Sequence, residues 1–154
     1  MRWVLAIDPA GDAARSGWAY YRDRALAICG IGWPPYSADV VVVERPQIYP
    51  MAQQKGDPND LISVALFAGR LVQSIARQDT MVIQIHPRMW KGQVPKPVHN
   101  RRVIKQLSAS ERVVYAHGTK GIAPKKVHNV IDAIGIGLWR LGRVRNPRGE
   151  GADE

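Results

Sequence analysis

One cysteine, Cys29, occurs in 154 residues. A single thiol excludes an internal disulfide and any cysteine-based zinc motif. It falls in the apolar stretch 25–31, which predicts a buried, unpaired thiol. No apolar run is long enough to cross a bilayer, and no charged-then-apolar segment opens the chain. The expectation is a soluble, cytoplasmic protein with no membrane partner. No internal repeat is visible. Acids are nearly missing from one stretch: residues 86–126 hold only Glu111 against ten Lys and Arg. The other 113 residues carry twelve of each sign, so the whole net charge of +9 belongs to that stretch. Solubility alone does not require segregated charge. A basic segment of this kind reads as a footprint for a polyanion, with Lys91, Lys96, Arg101, Arg102, Lys105, Lys120, Lys125 and Lys126 as phosphate contacts.

What is present is three carboxylates where apolar residues would be expected. Asp8 closes the run Trp3–Ile7, Glu44 closes Val40–Val43, and Asp132 lies inside Val130–Leu138. Charges at such positions are costly unless something compensates them. Three acids from distant parts of the chain suggest one shared partner, most simply a hard divalent cation such as Mg²⁺. Each acid also has a plainer reading. Asp8-Pro9 fits a turn, and Glu44 could pair with Arg45 or Arg70.

Patterning predicts strands over 2–8, 17–21, 24–32, 40–44 and 81–85. The first three form an antiparallel meander. Residues 48–58 lack periodicity and hold three breakers, which predicts a mobile loop. A helix capped by Asn59 or Asp60 should run to Arg77, with apolar positions on more than one stripe, and the excess suggests a dimer contact. Further helices are expected over 96–107, over 109–116 with Ser108 as cap, and over 125–143. This gives one domain over residues 1–143 and a disordered Pro/Gly/charge-rich tail over 144–154. The order is that of an α/β protein: a five-stranded mixed sheet, a meander plus two parallel strands, flanked by helices.

In such a sheet Asp8 and Glu44 can share the mouth at the strands' C-terminal ends, where open α/β sheets place ligands. Asp132 then comes from a helix crossing that mouth, with His128 and Asn129 on the same face. Gly135 and Gly137 cost helix stability, and close approach of the helix to the sheet would offset that. Two divalent ions about 4 Å apart would make this a phosphoryl-transfer site. His128 would be a ligand, a proton donor or a phosphate contact.

Four segments carry a resemblance. Ile7-Asp8-Pro9 with Ser16-Gly17-Trp18-Ala19, Val43-Glu44-Arg45-Pro46-Gln47, Pro87-x-x-Trp90-Lys91 and His128-x-x-x-Asp132-Ala133 resemble, in order, motifs of the RuvC-type Holliday-junction resolvases. The resemblance spans residues 3–142. It implies an RNase H-like fold, a homodimer, two Mg²⁺ or Mn²⁺ ions, and paired nicks across a four-way DNA junction that leave 5′-phosphate and 3′-hydroxyl ends. It assigns metal binding and catalysis to Asp8, Glu44 and Asp132, and phosphate contacts to Lys91 and Lys96. Ala10 stands where the family usually has Gly, and Trp90 where it usually has Val. The fourth ligand stays open between His128 and Asn129. The compact chain resembles the bacteriophage-encoded branch, for which the compartment would be the host cytoplasm. Tyr49, in the loop leaving Glu44, is a candidate wedge at the junction centre. Other RNase H-like nucleases, acting on RNA–DNA hybrids, RNA precursors or flaps, share these features, as would a junction-binding protein without cleavage. An actin-like nucleotide-binding fold ranks last, because no second phosphate-binding glycine motif follows.

Overall fold

The computed structural model describes residues 2–48 and 56–144. Its five strands are β1 (Trp3–Asp8), β2 (Gly17–Arg22), β3 (Ala25–Ile31), β4 (Val40–Glu44) and β5 (Met81–Ile85). They form one sheet in the order β3-β2-β1-β4-β5. β1, β2 and β3 pair antiparallel, while β1–β4 and β4–β5 pair parallel. Asp23 and Arg24 both take positive φ, as a two-residue hairpin turn that follows the strand twist requires. The antiparallel edge is built from adjacent sequence. The parallel half needs a crossover, and α1 (Pro58–Ile75) supplies it between β4 and β5. A short helical turn, α2 (Pro87–Trp90), leads to α3 (Lys96–Lys105), α4 (Ala109–Thr119) and α5 (Pro124–Arg140).

Strand alternation sorts the apolar side chains into two layers. Val4, Ala6, Val40 and Val42 join Trp90, Val103 and the buried stripe of α5 in one core. Leu5, Ile7, Val41 and Val43 join Leu71 and Ile75 of α1 in the other. The sheet is therefore covered by α3, α4 and α5 on one side and by α1 on the other. Cys29 is buried and unpaired, as its surroundings predict.

Several boundaries differ from the sequence reading. Asp57, rather than Asn59 or Asp60, caps α1: its side chain accepts from the Asn59 N–H, and Pro58 opens the helix. A proline at the first helical position moves the cap one residue back. α4 runs on to Thr119, and α5 starts at Pro124 and ends at Arg140. Ser108 caps α4 as expected, in a reciprocal capping box with Glu111. The tail from 145 and the central part of the loop, 49–55 with Tyr49, lie outside the described residues. No described helix is long and apolar enough to cross a membrane.

α5 lies unusually close to β2. A Cβ on Gly17 would run into the backbone carbonyl of Asn129, so only glycine allows this approach. The Tyr21 hydroxyl donates to the Ile134 carbonyl at 2.7 Å and fixes the helix along its length. Gly137 faces the Tyr21 ring. Gly135 faces Trp90 and Val103, so it makes room for α2 and α3 rather than for the sheet.

Candidate active site

Alternation decides where the acids point. In the β1–β4 ladder Ala6 pairs with Val42 and Ile7 with Val43, so Asp8 and Glu44 are the next residues along neighbouring parallel strands. Such strands lie about 4.8 Å apart. Both acids share the parity of Val4, Ala6, Val40 and Val42, the side covered by α5. Asp132 is buried on α5 at 6% exposure. All three carboxylates therefore meet on one side of the sheet, at the C-terminal mouth of β1 and β4.

Their electrostatics follow from this crowding. Burial raises the Asp8 pKa well above the usual carboxylate range, and the charges of Glu44 and Asp132 raise it further. Burial pushes Glu44 up to about 7, against a hydrogen bond from Trp90 and the Lys91 charge, both of which favour the ionised form. Asp132 goes the other way. Burial would raise it, but His99 and Lys91 hold it below its ordinary value. Lys91 Nζ lies 3.0 Å from Asp132 Oδ2, and His99 Nε2 lies 3.4 Å from Asp132 Oδ1. The Trp90 indole N–H donates to Glu44 Oε2 at 2.8 Å. Glu44 thus pairs with neither Arg45 nor Arg70.

The donors fit a hard divalent cation in kind: three carboxylates, two of them with raised pKa values and short of positive charge. They share one face and one mouth. They are not drawn into a finished coordination shell, since among the described residues no three His, Cys, Asp or Glu are grouped closely enough to hold an ion. Asp132 is turned instead to the Lys91 ammonium.

The remaining sequence candidates separate. His128 is half-buried. Burial and the Lys96 charge lower its pKa, while Asp132 and a bond to the Lys125 carbonyl work in the opposite direction. It therefore borders the acids. The Asn129 amide donates to the Arg15 carbonyl. That bond ties α5 to the turn after β1 through the amide nitrogen and leaves the amide oxygen, the atom a ligand role would need, outside it. Lys91 is engaged with Asp132 rather than free for phosphate, whereas Lys96 is exposed beside Asp8 and His128. Arg101 and Lys105, with Arg112, line a groove of about 360 Å³ between α3 and α4. Arg102 is half-buried and Lys120 caps the exposed end of α4. Lys125 and Lys126 occupy the first turn of α5, whose N-cap has no side-chain bond. His99 is missing from the sequence reading, and the sequence did not show that Trp90, which is fully buried, would hold an acid. Neither carries a periodic signal, and both find their acids through long-range folding.

No protein-family model matches the chain, and no curated protein does. Solved structures do. RuvC of T. thermophilus in complex with a Holliday junction substrate is 16% identical, with a TM-score of 0.56 over 94% of this chain and 99% of that one. The fowlpox virus Holliday junction resolvase is 13% identical, with a TM-score of 0.50 over 91% of this chain and 97% of that one. The fold is therefore that of the RNase H-like resolvases, RuvC among them, and it extends over nearly the whole chain.

Proposed function

We propose that this protein is a structure-selective endonuclease that resolves four-way DNA junctions with Mg²⁺ or Mn²⁺ as cofactor. The observation that carries the reading is the convergence of Asp8, Glu44 and Asp132 on one side and one mouth of this sheet. The basic segment forms α2–α5, which cover that same side. One neighbour of the same fold is a Holliday junction resolvase by name and another, RuvC, is seen with a Holliday junction substrate, which supports the choice of substrate.

In this reading Asp8, Glu44 and Asp132 hold the ions, with His128 at the edge of the set. The ions supply charge neutralisation, an activated water and stabilisation of the leaving 3′ oxygen. The chain's own groups do the rest. Lys91 keeps Asp132 ionised and oriented. Lys96 and the first turn of α5, with Lys125 and Lys126, receive phosphates through side-chain charge. Arg101, Arg102, Lys105 and Lys120 extend the track along the duplex arm. Paired nicks need two such centres, and α1 offers the surface for a homodimer: Ile62 and Leu66 are 59% and 71% exposed on a helix whose opposite stripe is buried. The compartment is the cytoplasm, or that of a phage host.

One observation favours a second reading. The Lys91–Asp132 pair already compensates one acid without a metal, which suits a junction-binding protein that does not cut. A panel separates the two. Purified protein with Mn²⁺ or Mg²⁺ is offered a mobile four-way junction, an RNA–DNA hybrid and a flap. Symmetric paired nicks on the junction are expected. Tight binding without nicks would support the second reading, and preferential cutting of the hybrid would replace both.

A further inference from the structure

Trp90 and His99 are both fully buried, with no exposed surface. Their rings meet edge to face with centroids 4.9 Å apart and planes at 71°. Each offers a ring nitrogen to a different acid. Trp90 Nε1 donates to Glu44 Oε2 at 2.8 Å. His99 Nε2 faces Asp132 Oδ1 at 3.4 Å, and neither atom has another hydrogen-bond partner. Burying an unmatched donor and acceptor side by side costs free energy unless the two serve each other. Contacts of this kind are often long before substrate binds and tighten afterwards.

The surroundings hold the pair rigid. Trp90 and His99 come from α2 and α3, and Gly135 of α5 is open to the Trp90 ring: a Cβ there would come within 2.5 Å of it. Val103 closes the same pocket. The indole therefore packs directly against the backbone of α5, the helix that carries Asp132. An indole N–H is a donor only, so it has no rotatable alternative to offer Glu44.

We propose that Trp90 and His99 form one positioning unit that sets Glu44 and Asp132 relative to each other. Each ring takes one carboxylate oxygen, which leaves Glu44 Oε1 for the reaction and Asp132 Oδ2 facing Lys91 at 3.0 Å. Neither ring touches substrate, so both are positioning residues. This explains an indole where the resemblance leads one to expect Val: an aliphatic side chain fills the pocket but cannot donate. The inference rests on the proposed nuclease reading, because it assigns the two acids a shared task.

Three changes test it: Trp90→Phe, replacement of Trp90 by benzothienylalanine, which keeps the bicyclic shape and lacks the N–H, and His99→Phe. The two decisive quantities are Mn²⁺ affinity by calorimetry without DNA and single-turnover cleavage at saturating junction, with metal-free junction affinity and melting as controls. Loss of such supporting bonds typically costs about 10–100-fold in metal affinity or activity. Each variant should lose that much in both, with junction affinity in the absence of metal within about twofold of wild type. The benzothienylalanine protein should melt with the wild type while showing the full loss, which packing alone would not produce. Variants that match a cleaving wild type in Mn²⁺ affinity and rate overturn the positioning role and leave the nuclease reading intact. A wild type that neither takes Mn²⁺ nor cuts overturns the nuclease reading, and this inference with it.

Discussion

Between pH 4.5 and 7 the cation-free protein works against its own acids. Glu44 titrates near 7 in the folded state and near 4.5 otherwise, chiefly because it is buried. A raised acid pKa means the folded state holds the proton more tightly. The stability this confers is complete below the unfolded value and is lost as pH rises through the folded one. Without divalent cations the protein should therefore melt lower at pH 8 than at pH 5. Glu44→Gln, which mimics the protonated form, should flatten that slope and gain about 1–3 kcal/mol at pH 8, given about 1.36 kcal/mol per pKa unit. Each kcal/mol is about 2–4 °C for a domain of this size. Scanning calorimetry at the two pH values checks it. The three acids were legible because each interrupts or ends an apolar run. Their partners were not. Trp90 sits in a proline-flanked turn and His99 in a polar helix, and neither neighbourhood signals that the side chain will be buried against an acid.

At the scale of elements, two of the contacts that place α5 escape sequence patterning. The first is the approach to Gly17. Gly17→Ala would drive a Cβ into the Asn129 backbone, which cannot rotate away. Overpacking costs typically about 1–3 kcal/mol, and rigid backbone puts this site at the upper end. Melting should fall by about that amount, and cleavage should fall with it because Asp132 moves with the helix. The second is a clasp after the helix. Arg143 bonds both oxygens of buried Glu111, at 2.5 and 2.8 Å, while Glu111 also accepts from the Leu26 N–H. These donors hold the Glu111 pKa at about 2, with the Arg143 bond the largest influence. The resulting stability is present above the ordinary value near 4.5 and is lost as pH falls toward 2. Arg143→Met should flatten the acid dependence: it removes most of that pH effect and lowers neutral stability by about 2–4 kcal/mol, since one partner of a buried pair is left alone. Acid titration followed by circular dichroism reads both effects. Helix identities were legible from apolar stripes and from the Ser108 cap. The ends of α1 and α5 were not, because prolines at 58 and 124 start those helices where local polarity pointed one or more residues later.

For the whole molecule, segregated charge is the property most open to measurement. If six of the cations on α2–α5 each neutralise one phosphate, junction affinity should fall with salt at a log–log slope of about −5. A slope near zero would mean that the basic segment is not the DNA-binding surface. The charge imbalance and the β-β-β-β-α-β order could be read directly; the order led to a mixed α/β sheet, and the motif resemblance implied the RNase H-like fold. The absence of a closed three-ligand cluster among the described residues could not be read, since it depends on where Lys91 comes to rest. The central claim is that Asp8, Glu44 and Asp132 act as one cation-dependent centre for junction cleavage. Its most direct test is Asp8→Asn, which preserves shape and removes one ligand, assayed for binding and single-turnover cutting on the same four-way junction with Mn²⁺. Loss of a ligand worth several kcal/mol of charge stabilisation should slow cutting by about a thousandfold or more while binding persists. Cutting by Asp8→Asn at the wild-type rate would contradict the account.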